Sequence, residues 1–486
     1  MASDRDIEKV MIIETAGASI ATPEPPDVST SDSETEDEET TREDEFTPPD
    51  GGLLAWSQVF VCLLTNMMSW GYPATFGVYQ LYYKQSLQLP EAQISWIGSV
   101  QIFLTFATCT FSGRLSDAGY NRSTVAVGAF LVVFGTLMTS LCTQYWQIFL
   151  AQGLCIGFGL GTMFMPPMSV ASSYFKEKRS LALACAATGT GFGSVVFPAI
   201  IQYLIPRIGF PWAVRCSALV VLVISVVALL LMRPRLRPRK SGPLVEWDAF
   251  KELPYSCYTV GVFLFFWALY FGFFYVSELS LPIQMTLLPL SFPAKVCVIF
   301  IASFPPADAD PRLPAQINGY ARNVIGFSTT DSVQLLLITN GMSVPARPVC
   351  GYLADRWTGP INMFASASAG LGVMIFAWAG VHDRVGMYVF SVFFGLANGA
   401  AQGVFGGSLA SLTRDPRKMG TRFGMVCTVV AFGTLAGPPT AGAIIDRSGG
   451  RYLNAQVWAG LVILCGSVMF LASRIASTGF KLRVKI

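Results

Sequence analysis

The stretch "NGMSVPARPVCGYLADRW", residues 340–357, carries Arg347 inside a run that is otherwise compatible with lipid. A guanidinium is planar and always charged, and its fork of N–H groups matches a carboxylate or phosphate two bonds at a time. An ionisable residue within an apolar span usually faces a polar cavity and marks a substrate path. Arg347 is therefore the first candidate to hold an anion. The competing role is structural: the side chain lies near the end of the run, close enough to snorkel to the surface or to pair with backbone carbonyls. Asn340 and Ser343 share its segment, and Asn66, Trp70, Tyr72 and Gln101 offer polar groups in two earlier apolar runs. Together with Arg347 they form the expected substrate-binding set, although polar residues in spans also tie helices together.

A second constellation occurs twice. Gly113, Leu115 and Asp117, followed by Arg122, give G-x-L-x-D and then a cation; Gly351, Leu353, Asp355 and Arg356 repeat the pattern. Glycine lets two helices approach closely, and an Asp–Arg pair that forms in one conformation and separates in another biases a two-state gate. One copy would be an ordinary charged helix end. Two copies at equivalent places predict a gate in each half of a repeated structure.

Other chemistries lack their residues. The single histidine, His382, leaves no set for a histidine-rich metal centre, and the 11 cysteines are scattered without a C-x-x-C pair. The glycines of "GLCIGFGLG" and "GTGFG" fall on four-residue steps that suit close helix packing, and no G-x-x-x-x-G-K-[ST] is present. No metal, no cofactor and no enzymatic activity are expected, for want of a catalytic constellation.

Something must hold these residues in place, and composition says what. Of 486 residues, 52% are hydrophobic and 13% charged, against about 25% charged in soluble domains. The chain is read as an all-α integral membrane protein. Twelve apolar segments approach the roughly 20 residues needed to cross a bilayer: 56–80, 94–115, 123–142, 147–171, 180–204, 213–232, 256–277, 330–352, 361–381, 385–408, 422–445 and 455–474. The expected domains are an acidic disordered tail over 1–49, a six-helix half over 50–232, an Arg- and Pro-rich linker over 233–255, a second six-helix half over 256–474, and a tail over 475–486. The first 50 residues are acidic, and the remaining cations cluster in alternate loops, which places both termini in the cytoplasm. The sequon Asn121-Arg122-Ser123 then lies on the cytosolic side. With the basic residues confined to short loops, nucleic acid is not an expected partner.

Two further stretches carry a family likeness. "DGGLLAW" before the first span holds Asp50, Gly51, Gly52 and Trp56; "YFKEKRSLALACAATGTGFG" holds Tyr174, Phe175, Arg179, Leu181, Ala182, Ala186, Gly189 and Gly193. These resemble the two signatures of the monocarboxylate porter family of the major facilitator superfamily, in its fungal form, with departures at Leu54, Glu177, Ala184 and Thr188. The resemblance implies twelve helices in two pseudo-repeats, alternating access, and coupling to protons. It also implies an anion-binding role for Arg347. Relatives that carry small carboxylates pair that arginine with an Asp one turn earlier, where this chain has Ser343, and have a lysine near the position of Gly77. The expected substrate therefore shifts away from lactate-like acids.

The expected function is secondary active transport of a small organic anion or acidic metabolite across a membrane, most simply the plasma membrane, with a vacuolar or other internal membrane as the alternative. Efflux of a fungal secondary metabolite and a transport-fold nutrient receptor are the alternatives for function. Substrate, protons and the lipid bilayer are the expected partners; an accessory subunit is not legible. Residues 278–319 interrupt the connection after the seventh span and are read as an anomalous extracellular insertion, either an unremoved intron or a lid.

Overall fold

The computed structural model describes residues 48–479 apart from 90, 237, 240, 241, 278–328, 414 and 450. The acidic tail and the 278–319 insertion lie outside the described residues. Among these residues every regular element is a helix, as hydrocarbon requires of a chain that must satisfy its own backbone polar groups.

In order they are α1 (Leu53–Leu87), α2 (Gln93–Asp117), α3 (Asn121–Thr139) and α4 (Tyr145–Ser173). One continuous run, Arg179–Leu231, follows. It is broken at Gly209, whose φ of 77° and ψ of 164° leave the helical region between Pro206 and Pro211. Only glycine adopts that conformation at little cost; the part before it is α5 and the part after it α6. Then come α7 (Leu253–Ser277), α8 (Thr329–Leu353), α9 (Pro360–Trp378), α10 (Arg384–Leu412), α11 (Met419–Arg447) and α12 (Leu453–Thr478). Among the described residues nine helical runs are long and apolar enough to cross a membrane, with Arg179–Leu231 counted as one.

Several boundaries differ from the expected ones. Helix α12 runs to Thr478, past the expected end at 474. A π-helical stretch, Phe149–Ile156, lies inside α4, and another, Ala354–Thr358, carries α8 through the second G-x-L-x-D. Apolar periodicity gives no sign of such local widening.

Helix α1 lies along the α5–α6 run, α3 packs on α4, α7 on α12 and α11, α8 on α10, and α9 on α10 and α12. Between the first six helices and the last six, the seams are α2 with α11 and the α5–α6 run with α8 and α10. Large apolar side chains such as Phe130, Leu219 and Leu230 face outward, the reverse of a soluble protein and the arrangement a bilayer favours. Polar residues, including Asn66, Gln101, Asn398 and Arg347, are buried inside.

Candidate functional site

Arg347 sits on α8 between Pro345 and Pro348 and is 3% exposed. Its Nη1 donates to Ser343 Oγ at 2.9 Å, one turn earlier. Ser343 Oγ in turn donates to the Asn340 carbonyl at 2.7 Å. On the other side, Nη2 donates to Gln402 Oε1 of α10 at 3.1 Å, and Gln402 Nε2 donates to Asn398 Oδ1 at 2.8 Å. Every acceptor is neutral. Arg347 Nε and Asn398 Nδ2 are buried without a hydrogen-bond partner, and among the described residues no carboxylate forms an ion pair with the guanidinium. Leaving a buried donor unanswered costs about 1–3 kcal/mol, and more where the group is charged, so a partner that accepts hydrogen bonds and bears negative charge would complement the cluster.

Two glycines make room for it. A Cβ at Gly191 of α5 would stand 2.6 Å from Val344 Cγ2 and 3.1 Å from Arg347 Nη1, and one at Gly403 of α10 would stand 2.8 Å from Arg347 Cα. The same α5 segment faces α1 on its other side, where Gly189 meets Leu63 and Gly193 meets Met67 and Gly71. Asn66 and Trp70 thus flank the stretch of α5 that Arg347 flanks from across the seam.

The structure brings Asn340, Ser343 and Arg347 together and places the other candidates apart. Asn66 donates to the Cys62 carbonyl at 2.8 Å. Trp70, half-buried, packs 4.7 Å from Phe106 and 5.5 Å from Phe164. Phe106 continues to Phe266 of α7 at 5.7 Å, and Phe266 to Phe405 of α10 at 5.5 Å, an aromatic row that crosses the seam. Gln101 is buried with neither side-chain polar atom bonded. Tyr72 departs from the expected cavity: it is 1% exposed, bonds Thr136 Oγ1 of α3 at 3.0 Å and Tyr79 at 3.3 Å, and packs 5.7 Å from Phe197 of α5. Gln402 and Asn398 escaped sequence reasoning; they lie one turn apart in a span rich in Gly and Ala, and that spacing is the signal that could have found them.

The two G-x-L-x-D copies converge at the cation-rich end of the helices, with partners other than those expected. Asp117 accepts from the backbone N–H of Gly420 at 2.9 Å and of Thr421 at 2.7 Å, and from Thr421 Oγ1 at 2.6 Å. Asp355 accepts from the N–H of Ser180 at 3.1 Å and of Leu181 at 2.7 Å. Each acid therefore caps the first turn of a helix from the opposite six, α11 or α5, where orphan amides and the helix dipole favour an anion. Gly113 permits the contact, since a Cβ there would lie 2.0 Å from the Gly420 carbonyl oxygen. In this conformation Arg122 donates to the Met232 carbonyl at 2.6 and 3.0 Å and Arg356 bonds Tyr352, and among the described residues the acids bond amides rather than these two arginines. Amides won because a helix N-terminus presents several donors at once. Deeper in the seam, Thr110 and Thr428 hydroxyls meet at 2.7 Å.

The two signature stretches also interlock. Asp50, at a φ of 47°, accepts from the N–H of Lys176 at 2.5 Å and of Glu177 at 2.8 Å, while its own N–H donates to the Tyr174 carbonyl at 3.1 Å. Trp56 packs edge-on to Phe175 at 5.5 Å. Tyr174 Oη donates to the Arg233 carbonyl at 2.7 Å, and Arg179 reaches the Phe175 and Ala410 carbonyls. Gly52, at a φ of 89°, supplies the turn into α1 directly after Gly51.

A helical bundle with a repeated capping contact and a polar cluster at the seam is compatible with the build of an alternating-access carrier. Residues 59–421 match the Major Facilitator Superfamily, and the chain belongs to it. It is a multi-pass membrane transporter. It is 35% identical over 429 residues to an MFS-type transporter of Gibberella zeae, covering 88% of each chain. It is also 32% identical to the aspyridones efflux protein apdF of Emericella nidulans, over 88% of this chain and 79% of that one. Among solved structures it is similar to the human organic anion transporter MFSD10 (TETRAN), with a TM-score of 0.61 at 13% identity over 87% of this chain and 100% of that one. FucP in its outward conformation gives 0.59 at 16% identity, over 87% and 98%. At such identity these two likenesses show the fold alone.

Proposed function

We propose that the protein exports an acidic secondary metabolite, an organic anion whose carboxylate or similar group binds Arg347. The observation that carries this reading is a buried guanidinium held only by neutral acceptors and with Nε unpartnered. The efflux direction draws support from apdF, whose name assigns it aspyridone efflux. The signatures at Asp50–Trp56 and Tyr174–Gly193 favour a place in the monocarboxylate porter branch. The division into two six-helix halves joined by the 233–255 linker, with the cation-rich end cytoplasmic, follows from the Lys and Arg bias of the loops. In that orientation the present state has its cytoplasmic gate closed by Asp117 and Asp355. Coupling to protons has little to work with: among the described side chains no carboxylate lies in the middle of a span.

The test is metabolite profiling. In a producing strain with the gene deleted, an acidic product should accumulate in cells and fall in the medium, restored by the wild-type gene and not by Arg347→Ala or Arg347→Lys at equal membrane abundance. Restoration by both variants overturns the anion reading.

A further inference from the structure

We propose that Cys109 and Cys427 form an oxidation site: a peroxide joins the two thiols in a disulfide that fastens α2 to α11 and holds the Asp117 end of the carrier shut. The inference rests on alternating access, not on Arg347 or on the charge of the substrate.

The two helices run antiparallel across the seam, and their contacts step along it. Gly420 meets Gly113, Gly424 meets Cys109, and Phe432 packs 5.5 Å from Phe103. A Cβ at Gly424 would stand 2.3 Å from the Cys109 carbonyl oxygen and 2.7 Å from Thr110 Cα, so the backbones touch here. The Thr110 and Thr428 hydroxyls meet at 2.7 Å, and Thr428 Oγ1 also donates to the Ala107 carbonyl at 3.1 Å. Cys427 falls between Gly424 and Thr428 in this register. Its thiol hydrogen-bonds Cys109, whose own Sγ donates to the Thr105 carbonyl at 3.1 Å. A disulfide needs Cα atoms about 4.4–6.8 Å apart, a separation that helices in backbone contact reach.

Both cysteines are 0% exposed, and a thiol buried in apolar surroundings is inert. Alternating access removes that protection. When Asp117 leaves the first turn of α11, this stretch of the seam parts and water reaches the sulfurs. A peroxide then oxidises one thiol to a sulfenic acid; its O–O bond breaks and one water leaves. On reclosure the second sulfur attacks the sulfenic sulfur, the S–O bond breaks, and a second water carries off the thiol proton. Two electrons pass to each peroxide. The closed state has gained a covalent bond that opening would have to break, so the carrier stops until a thiol reductant exchanges with the disulfide.

The test uses the full chain in lipid nanodiscs, treated with hydrogen peroxide, capped with N-ethylmaleimide and digested without reduction. Mass spectrometry should find the Cys109 and Cys427 peptides joined, lighter than the separate peptides by two hydrogens. Hydrogen exchange at the Gly420 and Thr421 amides, which Asp117 holds while this end is closed, should slow about tenfold and recover with dithiothreitol. Cys427→Ser, which keeps the size of the side chain and every other cysteine, should show neither change. Absence of the joined peptide in wild type, or joining without slower exchange, overturns the proposal. Slowing that persists in Cys427→Ser assigns the effect to another thiol and overturns it as well.

Discussion

Arg347 is a buried cation whose partners among the described residues are neutral, which makes it costly to keep. Two neutral acceptors fix the plane of the guanidinium without cancelling its charge. Gln402→Leu removes one of them and should weaken transport by raising the half-saturation concentration, an effect of about 1–3 kcal/mol for a buried donor left unpaired, measured as export against intracellular substrate. Gly191→Ala places a methyl 2.6 Å from Val344 Cγ2 and 3.1 Å from Nη1. It should cut transport severalfold while leaving membrane abundance near wild type, since overpacking costs about 1–3 kcal/mol; unaltered transport would show that α5 has room to move aside. From the sequence, the arginine and Ser343 were legible because they share one helix. Gln402 was not, because its tie to Arg347 crosses 55 residues.

At the scale of elements, the two G-x-L-x-D copies are a case of one helix end completing another. The first turn of α11 and that of α5 each lack intrahelical acceptors, and an aspartate from the opposite six helices supplies them. Asp117→Ala strands two amides and the Thr421 hydroxyl, so the closed state should lose about 1–3 kcal/mol. The expected readout is faster amide exchange over 419–423 and a lower melting temperature in detergent. Asp355→Ala should act likewise over 179–183. A variant whose exchange matches wild type would show that glycine packing alone holds the gate. The repeat makes the two equivalent acids legible in the sequence; that they accept from amides is not legible, because a backbone donor has no letter there.

Across the whole molecule, the linker is fastened to the last six helices by charge. Glu246 bonds Lys418, and Arg422 pairs with Glu252 at 3.1 Å. Arg422 Nε lies 3.5 Å from Glu246 Oε2, near enough for attraction but not aligned as a hydrogen bond. Burial raises the Glu246 carboxyl, yet the Lys418 bond and the charges of Lys418, Arg422 and Arg239 outweigh it and hold it below its ordinary 4.5. A depressed carboxylate stabilises the fold above its unfolded value, and that contribution fades as pH falls through the folded one. Wild type should therefore be more thermostable than Glu246→Gln near neutrality, and the gap should close as pH drops from 4.5 downward. A gap that persists in acid would place the effect in packing.

What the sequence determined by itself was the environment and the plan. Apolar segments of spanning length, cations in alternate loops and a doubled G-x-L-x-D are local or periodic features, and hydrocarbon permits few folds to a chain that carries them. Asp50 and Trp56 could be recognised as signature residues, but that they dock onto Lys176, Glu177 and Phe175 was decided only when α1 met the α4–α5 turn. Tertiary structure likewise sent Tyr72 to the Thr136 hydroxyl of α3 and drew Gln402 and Asn398 to Arg347. Helix rotation sets which residue of a polar span faces a cavity, and that rotation is fixed by neighbours far away in the chain. The sequence supplies the charge; the meeting of α5, α8 and α10 gives it only neutral partners among the described residues.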